Sequence, residues 1–306
     1  MKPYVIAEVG SNWSNIEQLY QSVGQAKETG ADAVKYQWLD SAALYNQPHA
    51  KVDKYSLNIH NFIMLKKYAD LCDIDLIVSC FSVNQLALID KLVKVHKIAS
   101  SEMCHIRMLN WFNQCAKPLI ISTGGHCCRD IVRTLHCVEK CPVTLLYCEM
   151  AYPSKKTWAP AILELKDRFL VPVGFSDHST EIYSNAMTAV MCGAIMVEKH
   201  YNPFDLKGTP DAGHSLNQKD FTLMVGALKS DTKPHRGIDD THHRCIIATE
   251  DIGTGEKFLE GVNIGIYRSL IPSKKKISPF ELPYIEGRRS KCVYAKGEPL
   301  SSSEST

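Results

Sequence analysis

No stretch of this chain approaches the roughly 18 consecutive apolar residues that a membrane-spanning helix requires. The opening residues turn acidic and glycine-bearing at Glu8-Val9-Gly10, before a secretory hydrophobic segment can form. A soluble, cytoplasmic protein without membrane partners is the expectation. Charge of one sign is equally scarce. Lys plus Arg number 35 against 33 Asp plus Glu, and the only compact basic run is Lys274–Lys276, so the basic footprint of a nucleic-acid surface is missing. Trp13, Trp38, Trp111 and Trp158 are too dispersed to make a stacking platform for bases. Twelve cysteines occur, but not as paired Cys-x2-Cys arms, and Cys127 and Cys128 stand side by side. That pattern suits neither a zinc finger nor a disulfide framework, and reduced thiols are the simplest reading.

What remains is a 306-residue globular composition, enough for one large and one small domain at about 150 residues each, or for an α/β barrel of about 200–250 residues plus a small module. Short β-branched runs recur roughly every 25 residues with amphipathic stretches between them. They predict strands at Tyr4–Val9, Ala33–Gln37, Leu76–Cys80, His96–Ala99, Leu119–Ser122, Thr144–Cys148, Val171–Gly174 and Ala194–Glu198. Helices are expected between and after them, from Ile16–Glu28 through Lys219–Lys229. Such alternation implies parallel strands, which need crossover connections. Eight βα units can close into a barrel or stay open as a doubly wound sheet. Length and even spacing favour the (β/α)8 barrel, and Glu8-Val9-Gly10-Ser11-Asn12 is no GxGxxG loop.

The chain is therefore divided into a barrel over residues 1–230, a linker at 231–243 rich in charge, His, Gly and Pro, a mainly β module at 244–300 and a disordered tail at 301–306. In the module, Cys245–Thr249, Val262–Tyr267 and Lys291–Tyr294 read as short strands.

A parallel barrel carries its chemistry at the C-terminal ends of its strands. The residues there are Glu8 and Asn12, Lys35 and Gln37, Ser79, Lys97 and Ser100, Ser122, Glu149 and Tyr152, Ser176, Asp177 and His178, then Glu198 and His200. His178 and His200 end neighbouring strands, and two imidazoles beside carboxylates can hold a divalent metal. A lone histidine at a strand end is ordinarily structural, and His60, His96, His105, His126, His136, His242 and His243 are read that way. Lys35 and Lys97 interrupt apolar strands, where a cation needs an anion or a polar cavity. Interior ion pairing is the plain reading of each; together they favour an anionic substrate, with Ser122-Thr123-Gly124 suited to phosphate. A Schiff-base lysine is the alternative. Glu149 is an acid or base, or else the partner of Lys155 or Lys156; Asp177 orients an imidazole or closes a loop.

These strand ends resemble the sialic acid synthase family. The resemblance is carried by Ile6–Asn12, Gly30–Gln37, Lys97–Glu102, Ile121–Gly124, Leu145–Cys148, Ala151–Pro153, Val173–His178, Val197–His200, and Thr209-Pro210-Asp211 with His214-Ser215-Leu216. After the linker, Ala248–Ile252, Gly255-Glu256 and Tyr267-Arg268 are similar to the family's antifreeze-like (SAF) domain.

The resemblance implies condensation of phosphoenolpyruvate with N-acetylmannosamine or a related acylamino sugar, in a domain-swapped homodimer. It implies His178 and His200 as ligands of a divalent metal, Mn2+ foremost with Mg2+ or Co2+ as substitutes. Glu8, Lys35 and Lys97 join those histidines as catalytic positions. Asn12, Gln37, Ser79, Ser100, Ser122, Tyr152, Ser176, Glu198, Asp211 and Arg268 become substrate positions, Arg268 reaching the acylamino group from the small domain. The chain departs from the family pattern at Trp13-Ser14-Asn15, at the short turn Ser79–Ser82, at Glu149-Met150 and in the compact segment Asp40–Asn58. Those departures bear on the identity of the sugar. Two other readings stand beside this one: a metal-assisted pyruvate aldolase or lyase, and a carbohydrate-binding protein of reduced activity.

Overall fold

A computed structural model describes residues 2–155, 158–230, 244–271 and 276–301. Two compact units divide at Ser230 and Asp231. The linker expected at 231–243, residues 302–306 of the tail, and Lys274 and Lys275 lie outside the described residues.

The first unit is a closed barrel of eight parallel strands in sequential order. They are β1 (Tyr4–Glu8), β2 (Ala33–Trp38), β3 (Asp75–Cys80), β4 (His96–Ile98), β5 (Leu119–Ser122), β6 (Val143–Tyr147), β7 (Val173–Asp177) and β8 (Met196–His200). β1 pairs with β8 in the register Tyr4↔Met196 through Glu8↔His200, which closes the cylinder. Helices fill the connections, several with side-chain caps: Asn15, Asn58, Ser82 and Asn217 each accept a first-turn N–H. Gly30, at φ +83, turns the chain from the helix Ile16–Glu28 into β2.

Alternation along each strand sends one set of side chains outward to the helices and the other into the barrel. The outward set, including Val5, Ala7, Val34, Tyr36, Val78, Ile98 and Ile121, merges with the helix faces into the main core. The inward set forms an apolar layer of Ile6, Ala33, Ile77, Ile120 and Leu146. One step further toward the C-terminal ends, inward positions turn polar.

That change explains where β7 and β8 differ from the strand ends expected from sequence. Reading hydrophobic runs stops them at Gly174 and Glu198, whereas they continue to Asp177 and His200. Polar residues at the barrel mouth still take ladder positions, because the cavity there is polar. The compact Asp40–Asn58 segment folds into two short helices, Ser41–Tyr45 and Ala50–Asp53.

The second unit contains an antiparallel pair, β9 (Arg244–Ala248) and β10 (Ile264–Arg268). The third strand expected at Lys291–Tyr294 is replaced by isolated bridges such as Ile252↔Tyr294 and Lys257↔Arg289. Glycine-rich turns keep the ladder from running on. Ile246, Ile252, Phe258, Ile264, Ile285 and Leu300 form a separate small core.

Candidate active site

Register determines the site. Glu8 lies opposite Lys35 on one side and His200 on the other, Ser79 opposite Lys97, and Ser176 opposite Glu198. Inward-pointing residues of different strands therefore share one level. Glu8, Lys35, Gln37, Ser79, Lys97, Ser100, Ser122, Tyr152, Ser176, His178, Glu198 and His200 line a single cavity at the C-terminal mouth. A larger cavity, about 330 Å³, opens at the other end of the barrel beside Tyr4, Asp75 and Lys94, away from this constellation.

The lysine side is a buried ion network. Lys35 Nζ lies 2.7 Å from Glu8 Oε2 and 3.7 Å from Glu198 Oε1, and Lys97 Nζ is 4.0 Å from Glu198 Oε2. Lys97 donates to Ser122 Oγ at 2.7 Å and to the Ile98 carbonyl at 3.0 Å. Gln37 donates to Glu8 Oε1, and Ser176 Oγ to Glu198 Oε1, each at 3.0 Å. Gly124 N–H donates to Ser100 Oγ at 3.0 Å, which joins the loops after β4 and β5.

The two carboxyls are driven apart. Burial pushes Glu8 above its ordinary value; Lys35 opposes this and Glu198 adds to it. Burial also works against Glu198, but Lys35 and then Lys97 outweigh it and hold that carboxyl at about 2. Burial pulls Lys35 down, yet Glu198 and Glu8 prevail and raise it. Lys97 is lowered by burial, which Glu198 offsets only in part while Lys35 repels.

The histidine side is built differently. His200 Nδ1 and His214 Nε2 are buried and have no hydrogen-bond partner among the described residues. The Asp211 carboxylate lies 4.0 Å from the first and 3.6 Å from the second. One donor atom from each of His200, Asp211 and His214 falls within 4.8 Å of the other two. Burial lowers His200 to about 3 against the pull of Asp211, with His214 and His178 reinforcing the shift. Two imidazoles beside a carboxylate make a donor set that fits a divalent metal.

His178 adjoins this group, its ring centroid 5.7 Å from that of His200. Its Nδ1–H donates to the Glu149 carbonyl at 2.6 Å. Ser176 Oγ lies 3.3 Å from His178 Nε2, but its one hydrogen goes to Glu198, so Nε2 keeps its lone pair. Tyr152 stacks on His178 at 4.3 Å between ring centroids and meets His214 edge-on at 5.0 Å.

Other expected residues are placed as follows. Asn12 sits in the wall, its amide donating to the Tyr201 carbonyl and Ser215 Oγ and its carbonyl accepting from Thr209. Asp211 Oδ2 accepts from Ser11 N–H and Oγ, and a Cβ on Gly10, at φ +54, would run into that oxygen. Arg268 is exposed on β10 of the second unit, opposite Arg244. Glu149 accepts the Tyr147 hydroxyl. Asp177 binds Lys199 at 2.8 Å and the Ser179 N–H at 2.9 Å, fully buried, so it closes the loop after β7. Trp13 is buried, donating to the Gly10 carbonyl and packing edge-on against Tyr55.

From sequence, His214 enters only through the motif His214-Ser215-Leu216, with no ligand role. The available signal was its place three residues after Asp211 in one loop, where a 3-10 turn (Ala212–His214) brings both to the same side.

The NeuB family model matches residues 22–235. The N,N′-diacetyllegionaminic acid synthase of Campylobacter jejuni is 26% identical over 297 residues, covering 85% of this chain and 89% of that protein. The pseudaminic acid synthase of Helicobacter pylori is 29% identical over 251 residues, 74% of each chain. The crystal structure of N-acetylneuraminic acid synthetase from Leptospira borgpetersenii, in complex with citrate, superposes with a TM-score of 0.71 at 26% identity, covering 74% of this chain and 83% of that one. No helix among the described residues is long and apolar enough to cross a membrane. With the barrel, the buried lysines and the histidine–carboxylate cluster in place, this chain belongs to the NeuB family of phosphoenolpyruvate-dependent nonulosonate synthases, enzymes that form a carbon–carbon bond.

Proposed function

We propose that the protein condenses phosphoenolpyruvate with an open-chain N-acylamino sugar, N-acetylmannosamine or a relative, giving a nonulosonic acid such as N-acetylneuraminate and inorganic phosphate. One observation carries this reading: two buried lysines bracket Glu198 on one wall of the cavity that His200 also lines. A small polyanion fits the first side, and a polar acceptor the second.

His200, with Asp211 and His214, would hold a divalent cation, Mn2+ foremost with Mg2+ or Co2+ as substitutes, and the free Nε2 of His178 makes it the adjoining candidate ligand. The bound cation supplies Lewis-acid polarisation of the sugar aldehyde. Lys35 and Lys97 hold the carboxylate and phosphate of phosphoenolpyruvate, while Ser79, Ser100 and Ser122 fix its orientation. C3 then attacks the aldehyde carbon, and water adds at C2. Glu8, whose burial favours its protonated form, holds and moves the proton at this point. The tetrahedral intermediate expels phosphate by breaking the C–O bond. Gln37 and Ser176 keep Glu8 and Glu198 in place, and Tyr152, Asn12 and Asp211 shape the sugar side. Arg268 is assigned to the acylamino group in a domain-swapped homodimer, with residues 244–300 acting as the SAF-like domain.

The test is a panel of acylamino sugars and their phosphates with Mn2+ and phosphoenolpyruvate carrying 18O at the bridging oxygen. Nonulosonate and labelled phosphate in equal amounts are expected. Label retained in the sugar product contradicts C–O cleavage; product from pyruvate in place of phosphoenolpyruvate identifies an aldolase; sugar binding without turnover identifies a binding protein.

A further inference from the structure

Asp177 and Lys199 are both wholly buried, yet no step of the condensation uses them. They stand opposite each other in the β7–β8 ladder, in alternation with Ser176 and His178 on one strand and Glu198 and His200 on the other. Those four flanking side chains line the cavity, so the pair points to the other face of the barrel wall. Lys199 Nζ lies 2.8 Å from Asp177 Oδ2 and donates to the carbonyls of Ser179 at 2.6 Å and Glu181 at 3.0 Å. An ammonium has three hydrogens, and these partners take all three. The other Asp177 oxygen accepts the Ser179 N–H at 2.9 Å, and Ser179 Oγ accepts from the Glu181 N–H and from Asn185 Nδ2. The segment after β7 is thus wound around a cation that β8 supplies.

Stability is a poor reason for such a pair. Replacing a buried ion pair with apolar side chains of similar volume is often neutral or stabilising, because desolvation of two charges offsets their attraction. An ion pair with directed hydrogen bonds fixes a register more sharply than an apolar contact does. The register matters here, since His178 and His200 are the residues that follow the pair on each strand, with ring centroids 5.7 Å apart. On the cavity side Ser176 Oγ donates to Glu198 Oε1 across the same two strands at 3.0 Å. One tie lies inside the wall and one outside, both just before the two imidazoles.

We propose that Asp177 and Lys199 are positioning residues of the metal centre: their buried pair sets how far the mouth end of β7 lies from that of β8, and with it the separation of His178 from His200. The inference rests on the reading of His200, Asp211 and His214 as a metal site with His178 as the adjoining ligand. Neither Asp177 nor Lys199 touches the cation; they act through the two backbones that carry the imidazoles.

The test is titration of the metal-free full chain with Mn2+, read by the electron paramagnetic resonance of the free ion, beside thermal denaturation of the same samples. Asp177→Leu/Lys199→Met removes both charges and keeps apolar volume in their place. Its melting temperature should stay close to that of wild type while Mn2+ affinity falls about tenfold or more, the size of effect typical when the groups that orient metal ligands are changed. Phosphoenolpyruvate binding should stay within about threefold, because Lys35 and Lys97 stand on other strands. Asp177→Asn keeps the size of the side chain but weakens its hold on Lys199, and should lower Mn2+ affinity by about threefold or more. Wild-type Mn2+ affinity in the double variant overturns the inference and leaves the metal site standing. Equal losses of Mn2+ and phosphoenolpyruvate binding show a general loosening of the mouth and overturn it as well. If the double variant does not fold, Asp177→Asn decides, and an affinity equal to wild type overturns the inference. Absence of Mn2+ binding by the wild type overturns the metal site and the inference together.

Discussion

On the lysine side of the cavity two cations face two carboxylates, Lys35 against Glu8 and Glu198 and Lys97 against Glu198, whereas on the histidine side two imidazoles face the single carboxylate of Asp211. Both sides open at the mouth of the same barrel, the lysines from strands and Asp211 and His214 from the loop after β8. Buried charges are costly unless paired, and each lysine is matched by a carboxylate from an adjacent or facing strand. Neutral imidazoles can be buried at lower cost, and an unpaired lone pair is what a cation requires. The first side pairs opposite charges; the second gathers two imidazoles and a carboxylate, a donor set that fits a divalent metal. One barrel mouth thus sets cationic side chains that suit an anion beside imidazole and carboxylate donors that suit a cation.

The largest effect that would break this contrast is expected at Glu198. Glu198→Gln leaves Lys35 and Lys97 facing each other without their shared counter-charge, and loss of one partner in a buried ion network costs about 3–5 kcal/mol. Thermal denaturation should report that loss, and added phosphoenolpyruvate should recover part of it by supplying negative charge. A melting temperature equal to wild type would show that the network is not carrying the charge balance described.

Lys97→Met is next. It removes the cation that donates to Ser122 and faces the cavity, and hydrogen bonds to charged groups contribute about 1.5–3 kcal/mol each. The value of kcat/KM for phosphoenolpyruvate should fall roughly 30- to 100-fold, while Mn2+ affinity measured by electron paramagnetic resonance stays within about threefold. Equal losses of both would merge the two sides into one.

His214→Ala sharpens the other side. Removing one of three donors should weaken Mn2+ binding by about tenfold or more and leave phosphoenolpyruvate binding unchanged. Retained Mn2+ affinity, together with its loss in His178→Ala, would transfer the third ligand to His178. The smallest effect belongs to Tyr152→Phe: the ring that stacks on His178 is kept and only the hydroxyl goes, so the KM for the sugar should change by less than about threefold. A larger change would give that hydroxyl a direct bond to substrate.

Much of this architecture is legible in the residues alone, because strand alternation and the positions of strand ends both follow from side-chain polarity. Glu8, Lys35, Lys97, Glu198 and His200 stand out as charged or polar groups inside apolar strands, and the barrel brings them into one cavity. The same rule misplaces the ends of β7 and β8, since hydrophobicity stops where the mouth begins but hydrogen bonding does not. His214 is harder to see, as it comes from a loop after β8 and reaches the cluster through a turn with no hydrophobic period. Asn12 shows the converse: its position at the strand end suggests a substrate contact, and its side chain hydrogen-bonds Tyr201, Thr209 and Ser215 of the wall. Whether a polar group faces a cavity or ties down its wall depends on partners some 200 residues away in sequence, and no local pattern encodes that.

The separation of the two sides is tested most directly by calorimetric titration of phosphoenolpyruvate into the same protein with and without Mn2+, in the absence of sugar. Because Lys35, Lys97 and Ser122 are held by contacts with one another and with Glu8 and Glu198, the dissociation constant should agree within about threefold between the two conditions. Binding that disappears on chelation and returns with Mn2+ would contradict the account, since the anion would then depend on the metal rather than on the lysines.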